Sequence, residues 1–198
     1  EAMAMTEDLL DAAIHSRMIA DVPLGVFLSG GIDSSTVAYF AQKNSSRPIK
    51  TFSIGFEEDS FDESPWARKV AQRLGTEHFE KRFTQKEFFA GIPAVLDKLD
   101  EPLADASLLP THLLSLFAKE QVKVALGGDG GDELWYGYQT FQAHTLWAYA
   151  DMVPRFFQRM VARGVGMLPV SHSYFSFDFK AKKFLEALGQ KDMLTRNQ

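Results

Sequence analysis

The sequence predicts an α/β fold: a doubly wound, mostly parallel sheet of strand order about 3-2-1-4, with room for a fifth strand, and helices on both faces. Three observations predict it. Four strand-like segments alternate with stretches of helical periodicity, an order that calls for right-handed crossovers between parallel strands. Two of the segments stop at glycine pairs, Gly30-Gly31 and Gly127-Gly128. Each pair leads through carboxylates and small residues into a helix, as ligand-binding corners do at the carboxyl ends of parallel strands.

The elements follow in order. Thr6 is a candidate cap for a helix whose apolar positions Leu9, Leu10, Ala13, Ile14 and Met18 recur at helical spacing. Residues 22–28 form the first buried strand, and a helical pattern restarts over 34–42. A second strand is expected over 49–56. Ser64-Pro65 offers a cap and a proline at the first helical position, opening a helix to about Leu74 with Gly75 at its C-cap. Residues 77–83 read as the third strand. The capping box Thr84-Gln85-Lys86-Glu87 starts a helix to about Leu99. Pro102 and Pro110 break the chain, a helix is expected over about 111–118, and 122–126 is the fourth strand. After Glu133 the sequence turns helical and aromatic. Neither internal repeats nor low-complexity segments occur.

At 198 residues, 45% hydrophobic and 24% charged, the chain has the composition of a globular domain. The expected division is residues 1–150 as the main domain and 151–198 as a helical, incomplete C-terminal extension of it. No run approaches the roughly 18 apolar residues of a membrane span. Residues 1–5 carry no basic n-region before an apolar stretch, so no signal peptide is read there. Cysteine is absent, which excludes thiol nucleophiles, disulfides and thiolate metal sites within these residues. A cytoplasmic location is the default expectation. The net charge of −5 is uneven: residues 151–198 hold eight basic and four acidic residues, leaving 13 basic and 22 acidic in 1–150. So acidic a body does not bind nucleic acid generally, because phosphate neutralisation needs clustered Lys and Arg.

The most informative stretch is Ser29-Gly30-Gly31-Ile32-Asp33-Ser34-Ser35. The glycines let the backbone approach an oxyanion, the amides at the helix start point at it, and three hydroxyls add donors. Asp33 repels phosphate directly; its useful role is to hold Mg²⁺ against phosphate oxygens. An ordinary capped Gly-Gly turn is the plainer alternative. A Walker A loop would need a lysine, and a dinucleotide fingerprint a third glycine; neither pattern is present.

Residues 127–133, Gly-Gly-Asp-Gly-Gly-Asp-Glu, repeat the strand-to-glycine-turn arrangement after the fourth strand. With order 3-2-1-4 the first and fourth strands are neighbours at the topological switch point, so the two loops are expected to face each other across one crevice. Asp33 and Asp132 are then placed to share one metal. A plain Gly/Asp turn is the alternative, and the spacing does not match an EF-hand.

Ser-Gly-Gly-x-Asp-Ser resembles the PP-loop of the ATP pyrophosphatases, which cleave ATP to AMP and pyrophosphate. Phe61-Asp62-Glu63-Ser64 with Ala67, Ala71 and Leu74 to His78 narrows the resemblance, as do Asp100-Glu101-Pro102 with Ala104-Asp105 and Ser107, and Gly-Asp-Gly-Gly-Asp-Glu-Leu with Gly137-Tyr138. Together these resemble the synthetase domain of the glutamine-hydrolysing asparagine synthetases over residues 20–145. The resemblance implies an adenine nucleotide alpha-hydrolase-like fold, with ATP and Mg²⁺ as cofactors. By position it implies that Ser29, Gly30, Gly31, Asp33, Ser34 and Ser35 hold pyrophosphate and magnesium. It further implies that Leu28, Ile54, Gly127 and Gly128 line the nucleotide pocket and that Asp132 is the second magnesium ligand. Asp129 stands where the family often has a glutamate beside the reacting substrate. Asp100, Glu101 and Asp105 are placed either at the substrate rim or in capping the next helix.

The activity implied is amide synthesis through an acyl-adenylate, with a carboxylate as acceptor, aspartate first among them. Ammonia would come from a glutaminase domain or subunit that this sequence lacks, and a homodimer is allowed. Family residues beyond position 198 include a lysine that contacts pyrophosphate; Lys180, Lys182 and Lys183 read rather as a solvated helix face. Three other readings stay open: a tRNA-modifying PP-loop enzyme, a non-catalytic nucleotide-binding module, and an amphipathic segment at 153–168 lying on an anionic membrane. A soluble protein with no membrane partner is expected.

Overall fold

The computed structural model describes residues 1–58, 62–103 and 105–138, with a few single positions beyond. Two compact units make up the chain, residues 1–129 and 130–198. The first contains α1 (Ala2–Arg17), β1 (Leu24–Phe27), α2 (Ile32–Lys43), β2 (Lys50–Phe56), α3 (Ser64–Leu74), β3 (Glu77–Phe83), α4 (Gln85–Ala90), α5 (Ile92–Leu96), α6 (Leu108–Ala118) and β4 (Val124–Leu126). In the second, the described helix is α7 (Gly131–Trp135).

The sheet order is β3-β2-β1-β4, and all three pairings are parallel. Register is set by Gly25 opposite Lys50, Leu24 opposite Val124, and Lys50 opposite Glu77. The expected order thus holds, and among the described residues there is no fifth strand.

Side-chain alternation along β1 and β2 sends residues to two separate cores. Val26 and Leu28 join Ala38, Phe40, Ala41, Ala67 and Ala71 beneath α2 and α3, with Ile14 of α1 at the margin. Phe27 and Phe52 point the other way, toward Leu114, Phe117 and Ala118 of α6. There Phe52 is wholly buried, stacked on Phe79 at 5.3 Å and edge-on to Phe117 at 6.0 Å. Removing a ring at such a site costs about 3–5 kcal/mol. Helices therefore cover both faces, as a parallel sheet requires.

Several boundaries differ from expectation for local reasons. Helix α1 is already formed at Ala2, so Thr6 is an interior residue and not its cap. Ser64 is the first residue of α3, and the carboxylate of Asp62 accepts its N–H at 3.0 Å. The expected helix from 84 to 99 is interrupted at Gly91. Pro93 cannot donate the backbone bond that would continue α4, so α5 starts afresh with proline in its first turn. The capping box itself is present, with Glu87 N donating to Thr84 Oγ1 and Thr84 N to Glu87. Pro110 does not break α6, which begins three residues ahead of Thr111 at Leu108. Proline is the third residue of that helix, where a missing N–H costs nothing. Strands β1 and β4 are shorter than the apolar runs that contain them. Phe61 and Ala104 lie outside the described residues, as do Lys180, Lys183 and most of the expected extension over 151–198.

Candidate nucleotide site

The site is built where β1 runs into α2. Gly30 has φ +86°, which side chains resist, and a methyl group on it would lie 2.6 Å from the backbone of Trp66 and Ala67. Glycine there lets the loop lie against the start of α3. Ser29 and Ser34 tie the loop together: their hydroxyls are 2.9 Å apart, and Ser29 N donates to Ser34 Oγ at 3.2 Å. The Gly31 amide donates to Ser29 Oγ at 3.2 Å. Asp33 occupies the first turn of α2, where its charge suits the positive end of the helix dipole.

The corner after β4 meets this loop directly. A methyl group on Gly128 would lie 2.8 Å from Ser34 N and 3.1 Å from the Asp33 carbonyl carbon. The carboxylate of Asp129 folds over Gly127, with Oδ2 2.5 Å from where a β-carbon would be. The two glycine-rich corners of the sequence therefore stand side by side at the carboxyl end of the sheet.

Between them opens a cavity of about 380 Å³. Of the expected residues, Leu28, Ser29, Asp33, Ser34, Ile54, Gly127, Gly128 and Asp129 line it. Gly30, Gly31 and Ser35 belong to the loop and the first turn of α2 but lie outside the lining, and Ser35 Oγ is buried with no hydrogen-bond partner among the described residues. Sequence reasoning missed Phe27, Ser53, Phe56, Glu63, Pro110, Thr111 and Leu114, which complete the wall. For Ser53 and Phe56 the signal was available: they flank Ile54 at the end of β2, the neighbour of β1. The α6 residues enter through a tertiary packing that no local pattern announces.

The polar character of the wall is one-sided. Three carboxylates line it, Asp33, Glu63 and Asp129, and among the described lining residues there is no Lys, Arg or His. Desolvation pushes the Glu63 carboxyl above its ordinary pKa. A polyphosphate fits such a wall only in company with a cation, and hard carboxylate oxygens are the donors Mg²⁺ prefers. No group of three or more His, Asp or Glu is gathered as a metal site among the described residues. A phosphate-bound Mg²⁺ takes one or two carboxylates, its other ligands being phosphate oxygens and water.

Behind the wall, His78 of β3 is held by Thr51 Oγ1 at 2.9 Å from Nδ1 and by Ser53 Oγ at 3.2 Å from Nε2. Thr51 also meets Thr76 Oγ1 at 2.9 Å. Burial lowers the pKa of His78, so the neutral ring is favoured. Ser53 thus connects the cavity to a buried polar cluster beneath α3.

The remaining expected residues are placed as follows. Asp105 accepts from both the amide and the hydroxyl of Ser107 at 2.8 Å, which lowers its pKa; it braces the turn ahead of α6. Asp100 and Glu101 are exposed and do not line the cavity. Asp132 lies in the first turn of α7, in the second unit, with Gly137 packed closely against its carboxylate. There the Tyr138 hydroxyl donates to Glu133, lowering the pKa of that carboxyl. No described helix is long and apolar enough to cross a membrane.

Comparison with known proteins identifies the family to which the chain belongs. The chain is 35% identical over 162 residues to asparagine synthetase (glutamine-hydrolyzing) 1 of Bacillus subtilis, covering 82% of this chain and 26% of that protein. It is 39% identical over 149 residues to a putative asparagine synthetase (glutamine-hydrolyzing) 2 of Methanocaldococcus jannaschii, covering 75% and 29%. The chain spans about a quarter of the length of the curated relatives it matches. Among solved structures, an NH3-dependent NAD synthetase from Campylobacter jejuni aligns with TM-score 0.45 and 18% identity, covering 67% of this chain and 58% of that one. The family pattern described as asparagine synthase matches residues 5–197, nearly the whole sequence, and the chain belongs to that family.

Proposed function

We propose that this chain is the ATP-using synthetase part of a glutamine-dependent amidotransferase, which converts a carboxylic acid to its amide. Aspartate, giving asparagine, is the first candidate acceptor. The observation that supports it best is the meeting of Gly128 with the Asp33–Ser34 peptide at the mouth of one cavity.

The chemistry follows from the weakness of a carboxylate as an acyl donor. The acceptor's oxygen attacks the α-phosphorus of ATP, the bond to the bridging oxygen breaks, and pyrophosphate leaves with that electron pair. Ammonia then attacks the acyl carbon, the bond from carbonyl carbon to phosphate oxygen breaks, and AMP departs while the nitrogen loses a proton. The amides and hydroxyls of residues 29–35 stabilise charge as it develops on pyrophosphate. Asp33 and, on the family resemblance, Asp132 would hold Mg²⁺, which when bound would supply positive charge to offset that of the leaving group. Asp129, beside the β1 corner, is the proposed contact to the reacting acceptor. Leu28, Ile54, Gly127 and Gly128 hold the nucleotide and help exclude water, which would hydrolyse the activated acyl group.

The proposed partners are a glutaminase domain or subunit that delivers ammonia, and a second copy of the chain in a homodimer, with the cytoplasm as the location. The deciding experiment measures pyrophosphate release from ATP with ammonia across a panel of carboxylic acids, using the full-length protein. Aspartate-dependent release is expected. Release with another acid while aspartate is inert would replace the acceptor, and no release with any acid would leave a nucleotide-binding module.

A further inference from the structure

The three carboxylates of the cavity have different surroundings. Asp33 belongs to the phosphate loop, and Asp129 is folded over Gly127. Glu63 comes from the other side, after β2 and just before α3. Its neighbour Asp62 is committed to structure: it accepts the Ser64 amide at 3.0 Å and pairs with Arg82 at 3.0 Å, itself almost fully buried. Glu63 has no side-chain hydrogen bond and no ion pair among the described residues, and its backbone carbonyl alone is used, accepting from Trp66 and Ala67. Within one Asp-Glu pair, one carboxylate braces the α3 turn and the other is left facing the cavity.

An acceptor-only group at that position repels phosphate and needs a ligand that brings hydroxyl or N–H donors. On a nucleotide whose phosphates lie at residues 29–35, the nearest donors along the molecule are the ribose hydroxyls, the groups that acidic side chains take in other nucleotide folds. We propose that Glu63 is a specificity residue of the nucleotide site, accepting a hydrogen bond from the ribose 2′-hydroxyl and so selecting ribo- over deoxyribonucleotides. This rests on the nucleotide-binding reading above. The open position of Glu63 at the rim suits a ribose, which joins an enclosed base to an exposed phosphate chain.

The test is calorimetric titration of the full-length protein with magnesium and non-hydrolysable ATP, and with its 2′-deoxy and 6-deamino counterparts. Wild type, Glu63→Gln and Glu63→Ala are compared. A bond between hydroxyl and carboxylate predicts about tenfold or greater preference for the ribose form in wild type. Glu63→Ala should bind ribose and deoxyribose forms alike, Glu63→Gln should be intermediate, and both should unfold at the wild-type denaturant midpoint. Full discrimination retained in Glu63→Ala overturns the assignment. A loss of preference confined to the 6-amino group moves Glu63 onto the base and also overturns it. If wild type binds none of the nucleotides, the nucleotide reading itself fails, which is a different result from binding without discrimination.

Discussion

The α-carbon of Gly128 rests against the amide of Ser34, so closely that one methyl group there would sit 2.8 Å from the nitrogen. Real β-carbons do not approach an amide at that distance, and backbone cannot swing aside as a side chain can. Gly128→Ala should therefore separate the β4 corner from the loop between β1 and α2. We expect a loss of about 1–3 kcal/mol in urea unfolding, typical of overpacking, together with loss of nucleotide binding. Wild-type stability and affinity in this variant would show that the two corners do not need to touch.

Removing charge from the proposed magnesium holders separates binding from folding. Asp33→Asn and Asp132→Asn should each abolish magnesium-dependent pyrophosphate release, while far-UV circular dichroism and unfolding midpoint stay near wild type. Full turnover in either variant would dissolve the proposed pairing.

His78 predicts a pH dependence with a definite sign. Burial lowers its pKa in the folded state, so the unfolded chain takes up a proton first as pH falls. The contribution of the neutral ring is fully present above the unfolded pKa of about 6.5 and is lost as pH drops from there toward the folded value. The groups facing it are Thr51, Ser53, Glu80 and Arg68. Urea midpoints at pH 8 and pH 5 should differ more in wild type than in His78→Gln. Equal differences would assign the pH effect to other groups.

The capping box at Thr84 gives a smaller effect. Thr84→Ala leaves the Glu87 amide without its acceptor and should cost about 1 kcal/mol of stability, with nucleotide affinity unchanged. A change in affinity would mean that α4 takes part in shaping the cavity.

Much of this architecture was legible because it is written in local chemistry. The doubly wound parallel sheet followed from the alternation of strands and helices, and the two candidate corners from glycine pairs at strand ends. Their meeting followed from topology, since β1 and β4 flank the switch point. What escaped notice depends on tertiary packing. Thr111 and Leu114 reach the cavity because α6 lies over Phe52 and Phe27, and no periodicity in 108–118 says which end of the sheet the helix will cover. Pro110 misled because a proline reads as a breaker unless its place in the first turn is known. The interruption at Gly91 was obscured by a capping box that strongly starts a helix and says nothing of its length. Glu63 was visible only as part of a motif; that Asp62 is occupied and Glu63 is not became apparent from side-chain geometry alone.

The wall with three acids and, among the described residues, no fixed cation has a consequence for what gains admission. A bare triphosphate meets a field of its own sign and is turned away before any shape is compared. On the proposed reading, the same molecule chelated to a divalent ion arrives with about half of its negative charge offset and can settle on the loop amides. Such a pocket samples ionic composition first and molecular outline second, and its occupancy should follow free magnesium as closely as it follows the nucleotide supply.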